Sequence, residues 1–102
     1  MIMNDKRVEP QVYGLQTTVE ILITIKDNDG LVVIPDQATL IVSDPLGHRM
    51  TAHKADMATG ATYLSYEYYP TVSGWYTYEA SCMDSTGRSV TKSNGFTVTD
   101  RL

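Results

Sequence analysis

The chain has 102 residues, a formal net charge of −4, and 42% hydrophobic against 20% charged residues, the balance of one globular domain. Its eight Lys and Arg residues are spread along the sequence, which argues against the basic patch that nucleic-acid binding requires. Cys82 is the single cysteine, so no intrachain disulfide can form, and no segment holds the roughly 20 apolar residues that span a bilayer.

Residues 1–15 are mixed in character, with Pro10 and Gly14 interrupting any regular element. They read as an N-terminal arm that orders on docking, ahead of a domain over residues 16–102. The opening Met1-Ile2-Met3-Asn4-Asp5-Lys6-Arg7 lacks the apolar run of a signal peptide, so synthesis in a cytoplasm is expected. Lys6-Arg7 is the only adjacent basic pair and reads as a solvated terminus.

Thr17 to Lys26 alternates, with Val19, Ile21, Ile23 and Ile25 on one side and Glu20, Thr24 and Lys26 on the other. A period of two with dense β-branching predicts a half-buried strand. Asp27-Asn28-Asp29-Gly30 supplies turn chemistry. It also resembles the start of a calcium loop, but the fifth and twelfth positions are Leu31 and Ala38 where oxygen ligands are needed. A turn is therefore expected, with weak calcium binding by Asp27 and Asp29 the only metal chemistry left open.

Leu31-Val32-Val33-Ile34 reads as a short apolar edge stopped by Pro35. Gln37–Ser43 follows as a strand with Ala38, Leu40 and Val42 inward, and Asp44-Pro45-Leu46-Gly47 as a turn. His48–Ala52 is a short strand; Asp56–Gly60 is a loop or a single helical turn. His48 and His53 are oddly spaced and lack companions at zinc spacing, so they are expected as exposed loop or edge residues. Tyr63–Tyr69 forms a strand ended by Pro70, with Leu64, Tyr66 and Tyr68 inward and Tyr63, Ser65, Glu67 and Tyr69 outward.

Trp75–Met83 places Tyr76, Tyr78, Ala80 and Cys82 on an apolar face and Thr77, Glu79 and Ser81 on a wet one. Cys82 there acts as a small buried hydrophobe rather than a nucleophile. After the Asp84-Ser85-Thr86-Gly87 turn, Arg88–Lys92 and Phe96–Thr99 read as two further strands. No window of helical length carries an apolar repeat of three to four residues. The fold class is all-β, an immunoglobulin-like antiparallel β-sandwich of about seven strands.

No nucleophile elbow, phosphate loop or dinucleotide fingerprint is present. A non-enzymatic chain without cofactor or metal is expected. The aromatic load, seven Tyr and one Trp concentrated over Tyr63–Trp75, is the feature that points to binding. With the Tyr76 face inward, Trp75, Tyr63 and Tyr69 point outward and are the candidate protein-binding residues. Trp75 either folds over a strand edge to cover core or forms a contact patch, for protein or for carbohydrate.

Three motifs carry a family resemblance: Thr24-Ile25-Lys26-Asp27-Asn28-Asp29-Gly30, Leu40-Ile41-Val42-Ser43-Asp44-Pro45-Leu46-Gly47, and Gly74-Trp75-Tyr76-Thr77-Tyr78 with Phe96-Thr97-Val98. In this order the chain resembles small immunoglobulin-like structural proteins of tailed bacteriophage virions, over residues 17–99. It is more loosely similar to macroglobulin-type and bacterial surface immunoglobulin-like domains. The resemblance implies a capsid decoration or head–tail accessory protein, assembled into the virion in the host cytoplasm. Its partners would be major capsid, portal or tail proteins, and further copies of itself within the particle. The alternative is an adhesion or carbohydrate-binding module on a tail fibre or cell surface.

Overall fold

The computed structural model describes residues 2–5, 12–15, 17–26 and 29–100. The described residues form ten strands: β1 Ile2–Asp5, β2 Val12–Gly14, β3 Val19–Lys26, β4 Val32–Val33, β5 Gln37–Ser43, β6 Arg49–His53, β7 Ala58–Thr59, β8 Leu64–Tyr68, β9 Gly74–Met83 and β10 Ser89–Thr99. One 3₁₀ turn, Lys54–Asp56, precedes β7. The first sheet runs β1-β3-β8-β7 with β4 also on β3, and the second runs β2-β10-β9-β5-β6.

The long strands fall where alternation predicts them. Val19, Ile21, Ile23 and Ile25 of β3 are all buried, facing Ala38, Leu40 and Val42 of β5 and Tyr76, Tyr78, Ala80 and Cys82 of β9 across the core. On β8, Leu64 is buried and Tyr66 and Tyr68 pack against the same core. Two apolar faces stacked in this way leave water only the alternate residues, the organisation of a β-sandwich.

An aromatic cluster fills one end of that core. Tyr76 and Phe96 are cross-strand partners whose rings stack 5.1 Å apart at 7°. Tyr13 and Tyr68 approach Phe96 edge-on at 5.7 and 6.4 Å, the geometry favoured by ring quadrupoles. The hydroxyl of the fully buried Tyr76 donates to the Val72 carbonyl oxygen at 2.7 Å and accepts from the Val72 amide at 3.3 Å. One side chain thereby fixes the connection between the two sheets, as tyrosine corners do in immunoglobulin-like folds.

Two hairpins share one turn. At Asp44–Gly47 and again at Asp84–Gly87, the glycine amide donates to the aspartate carbonyl at 3.1 Å, and the glycine takes φ near +89° and +88°. Asp44 Oδ1 accepts from the amides of Leu46 and His48, and Asp84 Oδ1 from those of Thr86 and Arg88. An aspartate that satisfies the amides ahead of it, followed by a glycine free to be left-handed, closes a tight hairpin.

Several expectations need revision. Two segments of the expected N-terminal arm pair with the sandwich: β1 runs antiparallel to β3, and β2 runs parallel to β10. Gly14 therefore ends a strand rather than interrupting one, and the sheet is not wholly antiparallel. Pro10, Lys6, Arg7, Asp27 and Asn28 lie outside the described residues. Arg88–Lys92 and Phe96–Thr99 are not separate strands; β10 continues through Ser93, Asn94 and Gly95 in unbroken register with β9. Thr24, expected on the wet side, is fully buried, at the point where β3 passes from pairing with β8 to pairing with β4.

Candidate functional site

β9 carries Trp75 outward while its neighbour Tyr76 points inward, and the indole is 58% exposed. Its ring nonetheless has a seat. A Cβ placed on Gly95 of β10 would stand 2.3 Å from Trp75 Cζ2 and 2.7 Å from the Tyr76 carbonyl oxygen, so only glycine leaves room for the indole. A glycine inside a strand often marks such a close approach, and an aromatic laid over it restores the missing cover. Trp75 thus covers strand backbone and still presents more than half its surface.

Tyr69 follows β8 directly and is 65% exposed, beside Leu15, Pro70 and Thr71 around a hollow of about 330 Å³. Tyr63 precedes β8 and folds onto Gly60, where its ring would lie 2.3 Å from an added Cβ. Its carbonyl accepts the Gly60 amide at 2.8 Å, and it is 37% exposed. The strand between separates Tyr63 from Tyr69 by about 20 Å at an extended rise per residue. The three candidate residues thus do not converge on one patch.

Tyr69 and Trp75 do share an end of the sandwich, and the sequence reading missed their companion, Leu46. The Asp44–Gly47 turn sits against the start of β9, where a Cβ on Gly74 would stand 2.7 Å from Pro45 Cγ. Tyr68, last residue of β8, packs edge-on to Tyr76 at 5.8 Å. Leu46 at the tip of that turn is 67% exposed. Exposed Leu46 was not legible because turn residues are ordinarily polar; Gly95 was legible only as a glycine inside a strand pattern.

Charge at this end is held by Asp44. Partial desolvation works to raise its carboxyl, but the amides of His48 and Leu46 and the nearby His48 ring outweigh it, and its pKa is lowered. His48 Nδ1 lies 3.3 Å from Asp44 Oδ2. His53 ends β6, its amide donating to Asp56 at 3.0 Å. Both histidines are exposed, as expected, on an edge strand and the turn before it. At the opposite end Asp29, Asp36 and Asp84 line a hollow of about 320 Å³. Among the described residues, no three His, Cys, Asp or Glu side chains are grouped to hold a metal ion. Burial pushes the Cys82 thiol up to about 11.

These features define an immunoglobulin-like β-sandwich domain. The chain is similar to the Lin-41 filamin domain, with a TM-score of 0.74 and 14% identity over 96% of this chain and 92% of that one. It is also similar to part of the multi-modular cell-surface chitinase ChiW of Paenibacillus sp. str. FPU-7, with a TM-score of 0.61 and 14% identity. That match takes in 94% of this chain and 8% of the chitinase. At such identity both likenesses speak to the fold. No protein-family model and no curated protein matches the chain.

Proposed function

We propose that the chain is a non-enzymatic binding module that docks on a larger assembly through the end of the sandwich bearing Leu46, Tyr69 and Trp75. The observation that carries this reading is that three large apolar side chains stand exposed there, Leu46 at 67%, Tyr69 at 65% and Trp75 at 58%, with Leu31 at 63% the one comparably exposed elsewhere among the described residues. Exposed aromatics set on a rigid scaffold are the usual energetic centres of interfaces. Their seats on Gly95 and beside Pro70 lower the ordering cost of binding.

The assembly we propose is a bacteriophage virion. Support comes from the motif order described above and from a domain of one sandwich carrying an exposed docking end. Capsid, portal or tail proteins would be the partners, and repetition of the same contact around a symmetric particle would multiply a weak interaction into avidity. Mass spectrometry of purified particles tests this. The chain should be present at a copy number set by particle symmetry, and its absence would rule the assignment out.

A second reading, an adhesion or carbohydrate-binding module, is favoured by one particular observation. The Trp75 indole lies over the backbone of Gly95, beside the row of polar side chains that holds Thr77 and Ser43.

A further inference from the structure

The outer face of the second sheet carries a polar groove next to Trp75, and its rows can be read from the strand register. Gly95, Thr77, Ser43 and Arg49 form one row across β10, β9, β5 and β6; Ser93, Glu79, Ile41 and Thr51 form the next. Between them lies a hollow of about 210 Å³ lined by Ile41, Ser43, Arg49, Thr77, Glu79 and Ser93. The indole lies over Gly95 at the β10 end of the first row, and Arg49, which lines the hollow, stands at its β6 end. Three inter-strand steps make that span about 14 Å.

The hydrogen-bonding state of these rows differs from that of the row beyond. There, Ser81 Oγ and Thr91 Oγ1 bond each other at 3.0 Å, and Thr39 Oγ1 lies 3.4 Å from His53 Nδ1. In the groove, the side chains of Ser43, Arg49, Thr77, Glu79 and Ser93 have no side-chain hydrogen bond or ion pair among the described residues. The same face therefore holds one band of hydroxyls that satisfy each other and one band whose donors and acceptors are turned to solvent.

We infer that this groove takes a short neutral oligosaccharide, an inference that rests on the reading of the chain as a binding module. The chemistry fits from three sides. A sugar ring offers one apolar face to the indole and hydroxyls at its edge. Glu79 accepts from vicinal hydroxyls, and Arg49 donates to hydroxyl and ring oxygens with a planar fork. Ile41 gives an apolar floor between them. A groove holding one cation and one anion, on a chain of net charge −4, suits a neutral glycan better than a polyanionic one.

The test is titration of the full chain with cellotriose, maltotriose and triacetylchitotriose, followed by tryptophan emission and calorimetry. At least one trisaccharide should bind and shift the Trp75 emission. Glu79→Gln and Arg49→Ala should each weaken binding about tenfold, the loss of one charge-assisted hydrogen bond. Thr91→Ala, one row away, should leave it unchanged. All are outer-face substitutions whose melting temperatures should match the parent. No response to any of the three sugars, or binding indifferent to both Glu79→Gln and Arg49→Ala, overturns the inference. Loss of particle docking in these two variants, without sugar binding, would assign the face to a protein and overturn it as well. Sugar binding that survives while Tyr69→Ala abolishes particle docking supports the groove as a site separate from the docking end.

Discussion

The indole of Trp75 occupies the space that a side chain at position 95 would fill, so the two residues form one structural unit across β9 and β10. Gly95→Ala should therefore be costly even on the outer face of the sheet, since the indole covers this position. The new methyl meets both the ring and the Tyr76 carbonyl oxygen, which is backbone and cannot swing aside. Overpacking of this kind costs about 1–3 kcal/mol. Urea denaturation should show that loss, with a red shift of tryptophan emission as the ring is displaced. An unchanged emission maximum would mean that the ring does not rest on Gly95.

The Tyr76 hydroxyl makes two bonds to one backbone unit, Val72. Tyr76→Phe keeps the stacking with Phe96 but strands the Val72 amide and carbonyl. Its expected cost is about 1–3 kcal/mol, read as a lower urea midpoint at unchanged slope. A midpoint within error of the parent would show that the corner does not anchor the connection between sheets.

Much of this was legible in the residues. Alternation over Val19–Lys26, Gln37–Ser43 and Trp75–Met83 set the inward faces correctly, because each strand turns one side to the core; on the outer side Thr24 is the exception. What remained hidden follows from effects that alternation does not encode. β1 and β2 are held by sheet edges distant in sequence, so their local composition says little. The role of Gly95 was hidden because the indole that covers it comes from another strand. Trp75 and Tyr69 read as outward and are exposed, but only tertiary structure separates them from Tyr63 and joins them to Leu46.

The twin turns give the fold a defined acid response. Asp84 has its pKa lowered below the ordinary 3.8, chiefly by the Thr86 hydroxyl and further by the amides of Arg88 and Thr86. Asp44 is lowered in net by the amides and ring described above. A depressed carboxyl contributes stability above its unfolded value and loses it as pH falls through the folded one. Stability should therefore decline below about pH 4, and the double variant Asp44→Asn, Asp84→Asn should show a flatter decline. A pH profile identical to the parent's would exclude these carboxylates as its source.

Cys82 should be silent to thiol reagents while the chain is folded, since burial holds its thiol at about 11. At pH 8 a disulfide reagent should react only at the rate of unfolding, and completely once urea is added. Rapid reaction of the native chain would place Cys82 outside the core and reverse the register of β9.

The most direct test of a docking role is co-sedimentation of the folded chain with purified particles lacking it. The parent should sediment with the particles, while Tyr69→Ala with Trp75→Ala, melting at the parent's temperature, should stay in the supernatant. Equal sedimentation of both proteins would contradict the assignment of docking to this end of the sandwich, and failure of the parent to sediment would contradict docking itself.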